Sequence, residues 1–253
     1  MLMKDDLYIT GIYLDGDIPK GDYVSSLPVV KHLNNLKINK KVTFFVGENG
    51  SGKSTLLEAV AINFGFNPEG GSKNFNFATR QTHSDLYKYI TLSKGIKKPK
   101  DGFFLRAESL YNVATNIDIM DSEPSFDSKV IEGYGGKSLH NQSHGEGFWT
   151  IIQNRFFGNG LYILDEPEAA LSPIRQLSFL SRINELVLQN SQFIIATHSP
   201  IIMAYPDADI YCLTDEGIKH TSYKETEHYK VTKEFINSPE RMFKHLFSKE
   251  EGE

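Results

Sequence analysis

Within VTFFVGENGSGKSTLLEAVA, residues 42 to 61, Gly47, Gly52, Lys53 and Ser54 satisfy the spacing G-x-x-x-x-G-K-[ST], with Gly50 inside it. Glycines let the chain turn successive backbone N–H groups inward as an anion nest, and a helix beginning near Ser54 aims its positive dipole end at the same point. Lys53 can then reach the β and γ groups of a nucleoside triphosphate, and Ser54 can offer its hydroxyl to Mg2+. Glu48, Asn49 and Ser51 complete the loop, and Thr55 adds a second hydroxyl at the helix start. A lysine followed by two hydroxyls has no packing reason to open a helix, so a chance Gly-rich turn explains the stretch less well.

Two further groups belong to the same chemistry. In LYILDEPEAALSP a short apolar run ends in Asp165 and Glu166. A strand there delivers Asp165 to its C-terminal end, the edge at which open α/β sheets bind ligands, where it can hold Mg2+ through water. Glu166 can polarise an attacking water for hydrolysis of the γ-phosphate. Capping after a strand would explain Asp165 alone but not the tandem acids. In QFIIATHSP, His198 follows another apolar run and is expected at the same edge, touching the γ-phosphate or holding the water. A lone histidine after a strand is usually structural; its shared edge with Lys53 and Asp165 argues for a role here.

These groups meet only if the elements carrying them end on one side of a sheet. LYITGIYL, KVTFFV, GFFLRA, LYILD, QFIIAT and DIYCL read as strands. Helices are expected from Ser54 to about Phe64, around HSDLYKYITL, over GFWTIIQNRFF and SPIRQLSFLSRINELVL, and in the tail KVTKEFINSPERMFKHLF with a break at Pro239. A turn is expected at Glu216-Gly217. Strands separated by helices imply an α/β protein with a parallel sheet covered on both faces. The stretch from Asp118 to Gln142, rich in Asp, Ser, Gly and Asn, reads as a lobe or mobile loop.

The 253 residues are 40% hydrophobic, enough for a sizeable core, and the formal charge of -5 argues against a surface that is basic all over. The one cysteine, Cys212, lies in an apolar run and reads as a buried thiol in a reducing compartment. The acidic N-terminus lacks a secretory h-region and no run is long enough to span a bilayer, so a cytoplasmic protein is expected. Glu225, Glu227, His228 and Glu234 in the tail, and His140 with His144, invite a metal reading; a solvated amphipathic helix and a loop are the simpler readings, and no zinc site is expected.

Gly47 to Thr55, Asp165-Glu166-Pro167 and His198 together resemble the ABC-type ATPase superfamily, which includes transporter nucleotide-binding domains and the soluble SMC and RecF-like ATPases. Glu168, and Ser172-Pro173 after it, look more like the soluble AAA-type ATPase domain group related to SMC and RecF heads than like transporter subunits. The resemblance implies a P-loop NTPase with a mostly parallel central sheet flanked by helices, antiparallel N-terminal strands and a small inserted lobe bearing the signature sequence. It also implies a single ATPase domain over 1–253 with that lobe at about 109–158, and ATP and Mg2+ as ligands.

QSHGE, residues 142 to 146, is similar to the family signature, with Gln142 and His144 departing from it. By resemblance, Ser143 and Gly145 would contact the γ-phosphate held by the partner's Lys53, giving a head-to-tail homodimer with ATP at its interface. Residues 168–172 match the D-loop that crosses that interface. Read without the family, Ser143 and Glu146 form a capping box that opens a helix, which is compatible. Glu108 in FFLRAES stands where a Q-loop residue would offer a magnesium or water contact; Gln81 is its rival, and a helix N-terminal acid is the plain reading of Glu108. Tyr8, Tyr13 and Tyr23 are candidates to stack on adenine. With no sustained heptads between Lys53 and Ser143, the chain is a compact head without arms. The expected function is a soluble ATP-hydrolysing clamp or switch, in DNA repair or defence; the alternative is the ATP-binding subunit of an ABC transporter, with nucleic acid or a membrane permease as the respective partner.

Overall fold

The computed structural model describes residues 6–19, 21–72, 84–122 and 128–247. In chain order the elements are β1 (Ile9–Leu14), α1 (Tyr23–Ser26), α2 (Pro28–His32), β2 (Asn35–Lys37), β3 (Val42–Gly47), α3 (Lys53–Phe64), β4 (Ile90–Lys94), β5 (Asp101–Arg106), α4 (Leu110–Ser122), α5 (His144–Asn154), β6 (Gly160–Asp165), α6 (Pro173–Leu188), β7 (Gln192–Ala196), β8 (Asp209–Thr214), β9 (Gly217–Thr221), α7 (Glu227–Asn237) and α8 (Pro239–Phe247).

Six strands form one sheet in the order β5-β6-β7-β3-β8-β9, and three form a second in the order β2-β1-β4. All pairs in the larger sheet are parallel except β8 with β9, a hairpin that turns through Asp215-Glu216. The smaller sheet is antiparallel throughout. The expected mostly parallel sheet with antiparallel N-terminal strands is therefore present.

Side-chain alternation explains how the large sheet is covered. Along a strand, neighbouring residues face opposite sides. Phe44, Phe103, Leu164 and Ile195 join a core that includes Val113 and Ile117 of α4, Phe148 and Ile151 of α5, and Phe179 and Ile183 of α6. Their neighbours Phe45, Phe104, Ile163 and Ile194 join a second core with Leu56, Leu57 and Val60 of α3 and with Ile9, Ile12 and Ile90 of the small sheet. Strands buried on both faces need continuous apolar sequence, and β3, β6 and β7 are buried at every position. Each fully buried side chain of this size contributes about 1.5–3 kcal/mol.

One expected helix is not there. In HSDLYKYITL the described residues form a single 3-10 turn at Asp85–Lys88, capped by the Ser84 hydroxyl, followed by strand β4. The apolar residues that read as helical spacing split between the turn and the strand: Leu86 and Ile90 both reach the same core. Pairing of β4 with β1 along the whole of Ile90–Lys94 decides the outcome for the β-branched Ile90 and Thr91. Elsewhere the expected tail helices and their break at Pro239 are as read, and the turn expected at Glu216-Gly217 falls one residue earlier, at Asp215-Glu216, with Gly217 opening β9. In the stretch 118–142, Tyr134 and Leu139 are carried into the core by 3-10 turns at Val130–Tyr134 and Leu139–Asn141. Among the described residues no helix is long and apolar enough to cross a membrane.

Candidate functional site

The strand order places the chemistry. β3 lies between β7 and β8, and β6 lies beyond β7, so the loop after β3, the Asp165 end of β6 and the His198 end of β7 open on the same edge. Backbone bonds stitch that edge together: Thr197 N–H donates to Phe45 O at 3.1 Å and Glu166 N–H to Ala196 O at 3.0 Å. The chain departs to opposite sides of β3, a topological switch point of the kind that binds ligands.

The loop from Gly47 to Gly52 is enclosed at its two ends, while Glu48, Asn49 and Gly50 are exposed. Gly47, Gly50 and Gly52 have φ of 148°, 84° and 94°, left-handed values that favour glycine. A Cβ on Gly47 would fall 2.3 Å from Leu213 O, and one on Gly52 would fall 2.5 Å from Val29 Cγ1. Gly52 is also the N-cap of α3 and has no side chain to cap it. The backbone N–H groups of Gly50, Gly52, Lys53, Ser54 and Thr55 consequently have no acceptor among the described residues. An uncapped helix start with converging free donors is a ready anion site. Lys53 is buried and bridges the loop, with Nζ donating at 2.8 Å to both Gly47 O and Glu48 O. Burial pushes its pKa down, against the pull of Glu166, Asp165 and Glu168. Beside the loop, towards β8 and α7, lies a cavity of about 570 Å3 that Glu48, Asn49, Asp215 and Glu227 help to line.

A second cluster lies beyond the loop. Ser54 Oγ donates to Asp165 Oδ1 at 3.0 Å. Arg106 and Asp165 are register partners across β5 and β6, and Arg106 Nε stands 3.5 Å from Asp165 Oδ2. The guanidinium is itself held by Glu58 Oε2 at 3.0 Å and pairs with Glu108. Ser54, Glu108, Asp165 and Glu166 line one cavity of about 330 Å3, so these three expected metal contacts and the expected base share a pocket. Burial raises the Asp165 pKa to about 6, with Arg106 and the Ser54 hydroxyl opposing it. The folded-state value exceeds the unfolded one, so the charged form costs stability above about pH 6 and the cost vanishes as pH falls towards 4. Asp165→Asn should therefore stabilise the nucleotide-free protein by about 1–3 kcal/mol at pH 8, with the gain fading near pH 4.5. Thermal unfolding at the two pH values reads this directly; a variant less stable than wild type at pH 8 would contradict it.

Glu166 adopts φ 49° and ψ 52°, a left-handed conformation that costs a non-glycine residue about 1–3 kcal/mol. It precedes the 3-10 turn Pro167–Ala170 yet makes no side-chain capping bond, so its carboxylate is not spent on the helix. Glu166 Oε1 lies 3.7 Å from His198 Nε2. The neighbouring Glu168 is spent: it accepts from the Thr197 hydroxyl at 2.8 Å and from the His198 backbone N–H, and thereby fixes the segment after β7. Burial raises the pKa of Glu168. On the other side of the ring, His198 Nδ1 is 3.1 Å from His228 Nε2.

Ser143 and Gly145 are not brought to this site. Ser143 caps α5 in a full capping box, with its N–H donating to Glu146 Oε2 at 3.0 Å and its Oγ accepting from Glu146 N–H at 3.4 Å. A Cβ on Gly145 would fall 2.7 Å from Ala170 O, so the glycine lets α5 pack on the turn after Glu166. Gln81 lies outside the described residues. Tyr8 cannot face a nucleotide at the loop: its hydroxyl donates to Asn190 O, before β7, at the opposite edge of the sheet. Tyr23 is exposed on α1.

Arg106, Glu58 and His228 were not singled out from sequence as supports. Arg106 stands two residues before Glu108 at a strand end, which is a usable signal; Glu58 and His228 act through distances of 48 and 30 residues that no local pattern reveals.

Comparison with known proteins bears on the family and the fold. A family profile described as AAA domain matches residues 26–163. An uncharacterized ABC transporter ATP-binding protein of Haemophilus influenzae is 24% identical over 238 residues, covering 86% of this chain and 88% of that protein. Among solved structures, cbiO1 of Clostridium perfringens, part of the ABC transporter complex cbiONQ, matches with TM-score 0.53 and 17% identity over 96% of this chain and 100% of that chain. An SMC head bound to the C-winged helix domain of ScpA matches with TM-score 0.51 and 13% identity over 85% and 97%. The two structures share the fold, and the profile covers more than half of the sequence. The chain belongs to the AAA domain family.

Proposed function

We propose that this chain is a Mg2+-dependent ATPase that closes head to tail on a second copy with ATP between them. The observation that carries the ATPase reading is the uncapped start of α3, where the free N–H groups of Gly50, Gly52, Lys53, Ser54 and Thr55 gather beside the Lys53 ammonium and the Ser54–Asp165 pair. A hydroxyl and a carboxylate oxygen are the hard donors that Mg2+ takes, usually in company with phosphate oxygens and waters. Ser54 and Asp165, with Glu108 nearby, would hold it; when bound it would neutralise charge on the β and γ groups.

The residues then divide the work. The Gly47–Thr55 loop binds the phosphates, with the Lys53 ammonium moving its donors from Gly47 O and Glu48 O to phosphate oxygens. Glu166 takes the proton of the attacking water, and His198 donates to the γ-phosphate or holds that water. Ser143 and Gly145, which line neither cavity beside the loop of their own chain, serve the partner's nucleotide. The whole chain acts as one unit, with 109–158 as the segment inserted to present Ser143.

The clamp reading draws on the capped, exposed Ser143 at a helix N-terminus. The transporter-subunit reading has one specific support, the Haemophilus influenzae relative named as an ABC transporter ATP-binding protein. Gel filtration of Glu166→Gln tests the clamp: with Mg2+ and ATP the variant should elute as a dimer and without nucleotide as a monomer. A saturated variant that stays monomeric would remove it. Hydrolysis stimulated by DNA would favour the repair-type client, and co-purification with a multi-span membrane protein the permease.

A further inference from the structure

His198 is held by the ring from one side only. Its Nδ1 meets His228 Nε2 at 3.1 Å, with ring centroids 5.3 Å apart. Its Nε2 is buried and has no hydrogen-bond partner among the described residues, and stands 3.7 Å from Glu166 Oε1. The position of His228 is built rather than incidental. It lies in the first turn of α7, whose N-cap Thr226 is buried and accepts from Tyr229 N–H at 3.3 Å. The turn before it is pinned by the Tyr223 hydroxyl donating to Pro200 O at 2.9 Å, two residues from His198.

A single proton occupies the Nδ1···Nε2 contact, so the neutral pair has two arrangements. In one, His198 donates from Nδ1 and turns a bare Nε2 lone pair towards the Glu166 carboxylate. In the other, His228 donates from Nε2, and His198 keeps its proton on Nε2. The carboxylate facing Nε2 biases the pair, because it attracts an N–H and repels a lone pair, and the His228 Nε2–H donated to Nδ1 completes the selection. Around the two rings stand Lys53 from α3, Glu166 and Glu168 from the segment after β6, and Glu227 from α7. Burial of both rings, with Lys53 adding to it, lowers both pKa values and disfavours a second proton on the pair.

We propose that His228 is a positioning residue that locks His198 in its Nε2–H tautomer, so that the ring presents a hydrogen-bond donor to the terminal phosphate of the nucleotide. The inference rests on the ATPase reading above and extends it to α7, an element remote in sequence from every phosphate-binding motif. The unpaired Nε2–H is then the atom left for the substrate, and α7 is tied to it through one hydrogen bond.

The full chain carrying His228→Phe, which keeps ring volume but removes the donor, is compared with His228→Gln, whose amide can donate from a similar position. Nitrogen-15 spectra of the imidazoles, recorded without nucleotide, should show His198 protonated at Nε2 and bare at Nδ1 in wild type and in His228→Gln, and a mixture of tautomers in His228→Phe. Steady-state hydrolysis should show kcat lowered roughly 10- to 100-fold in His228→Phe, with KM little changed, and largely restored in His228→Gln. Wild-type His198 protonated at Nδ1, an unchanged kcat in His228→Phe, or a His228→Gln variant as slow as His228→Phe would each overturn the proposal. Because the spectra need no nucleotide, absence of hydrolysis in wild type would sink the ATPase reading while the tautomer still decides the histidine pair.

Discussion

Glu166→Gln should lower kcat for ATP hydrolysis by about 100- to 10,000-fold, the range expected when a general base is lost, while the Kd for ATP changes by no more than a few fold. The substitution keeps the shape of the side chain and the left-handed backbone at φ 49°, so the loop and the β6 edge are undisturbed. It removes a carboxylate that has no capping bond and that faces His198 Nε2 across 3.7 Å. It also relieves charge near Asp165 and Glu168, both of which burial already holds above the usual carboxylate range. Binding is therefore retained while proton abstraction is lost. Phosphate release under single-turnover conditions, paired with equilibrium titration of ATP, separates the two. A variant that turns over at the wild-type rate would assign the base elsewhere.

Lys53→Ala should act at the earlier step. Its ammonium, buried and placed at the mouth of the uncapped helix, is the only lysine nitrogen given to the loop by the described contacts. Charge-assisted bonds to phosphate contribute about 1.5–3 kcal/mol each, so losing one or two of them should weaken ATP binding roughly 100-fold or more. The fold should tolerate the change, because removing the side chain also removes the cost of burying its charge. Titration calorimetry reads the affinity, and unchanged binding would mean that the triphosphate lies elsewhere. The two variants are complementary: one loses turnover with binding kept, the other loses binding.

How far the sequence carried this account depended on the range of each interaction. Gly47, Gly52, Lys53 and Ser54 were legible because loop geometry, helix start and ligand chemistry all act within eight residues. β3, β6 and β7 were legible because burial on both faces demands unbroken apolar runs. Their order was not read from the sequence, yet the parallel sheet expected from alternating strands and helices brought Asp165 and His198 to the loop edge. The stretch HSDLYKYITL misled because its apolar spacing serves a 3-10 turn and a strand that share one core, and the deciding partner, β1, lies some 80 residues away. The tail reading of a solvated helix described most of α7, which has no fully buried residue, but missed His228 in its first turn. Nothing local distinguishes that histidine from its exposed neighbours.

The central claim is that the amides from Gly50 to Thr55 and the Lys53 ammonium cradle a triphosphate opposite Ser54 and Asp165. The most direct measurement is a crystal structure with a non-hydrolysable ATP analogue and Mn2+ in place of Mg2+, in which anomalous scattering locates the metal. The account predicts the β and γ groups inside the loop, with the metal within about 2–2.5 Å of Ser54 Oγ and within one water of Asp165. An analogue seated away from the loop, or a metal beyond a water's reach of Asp165, would contradict it.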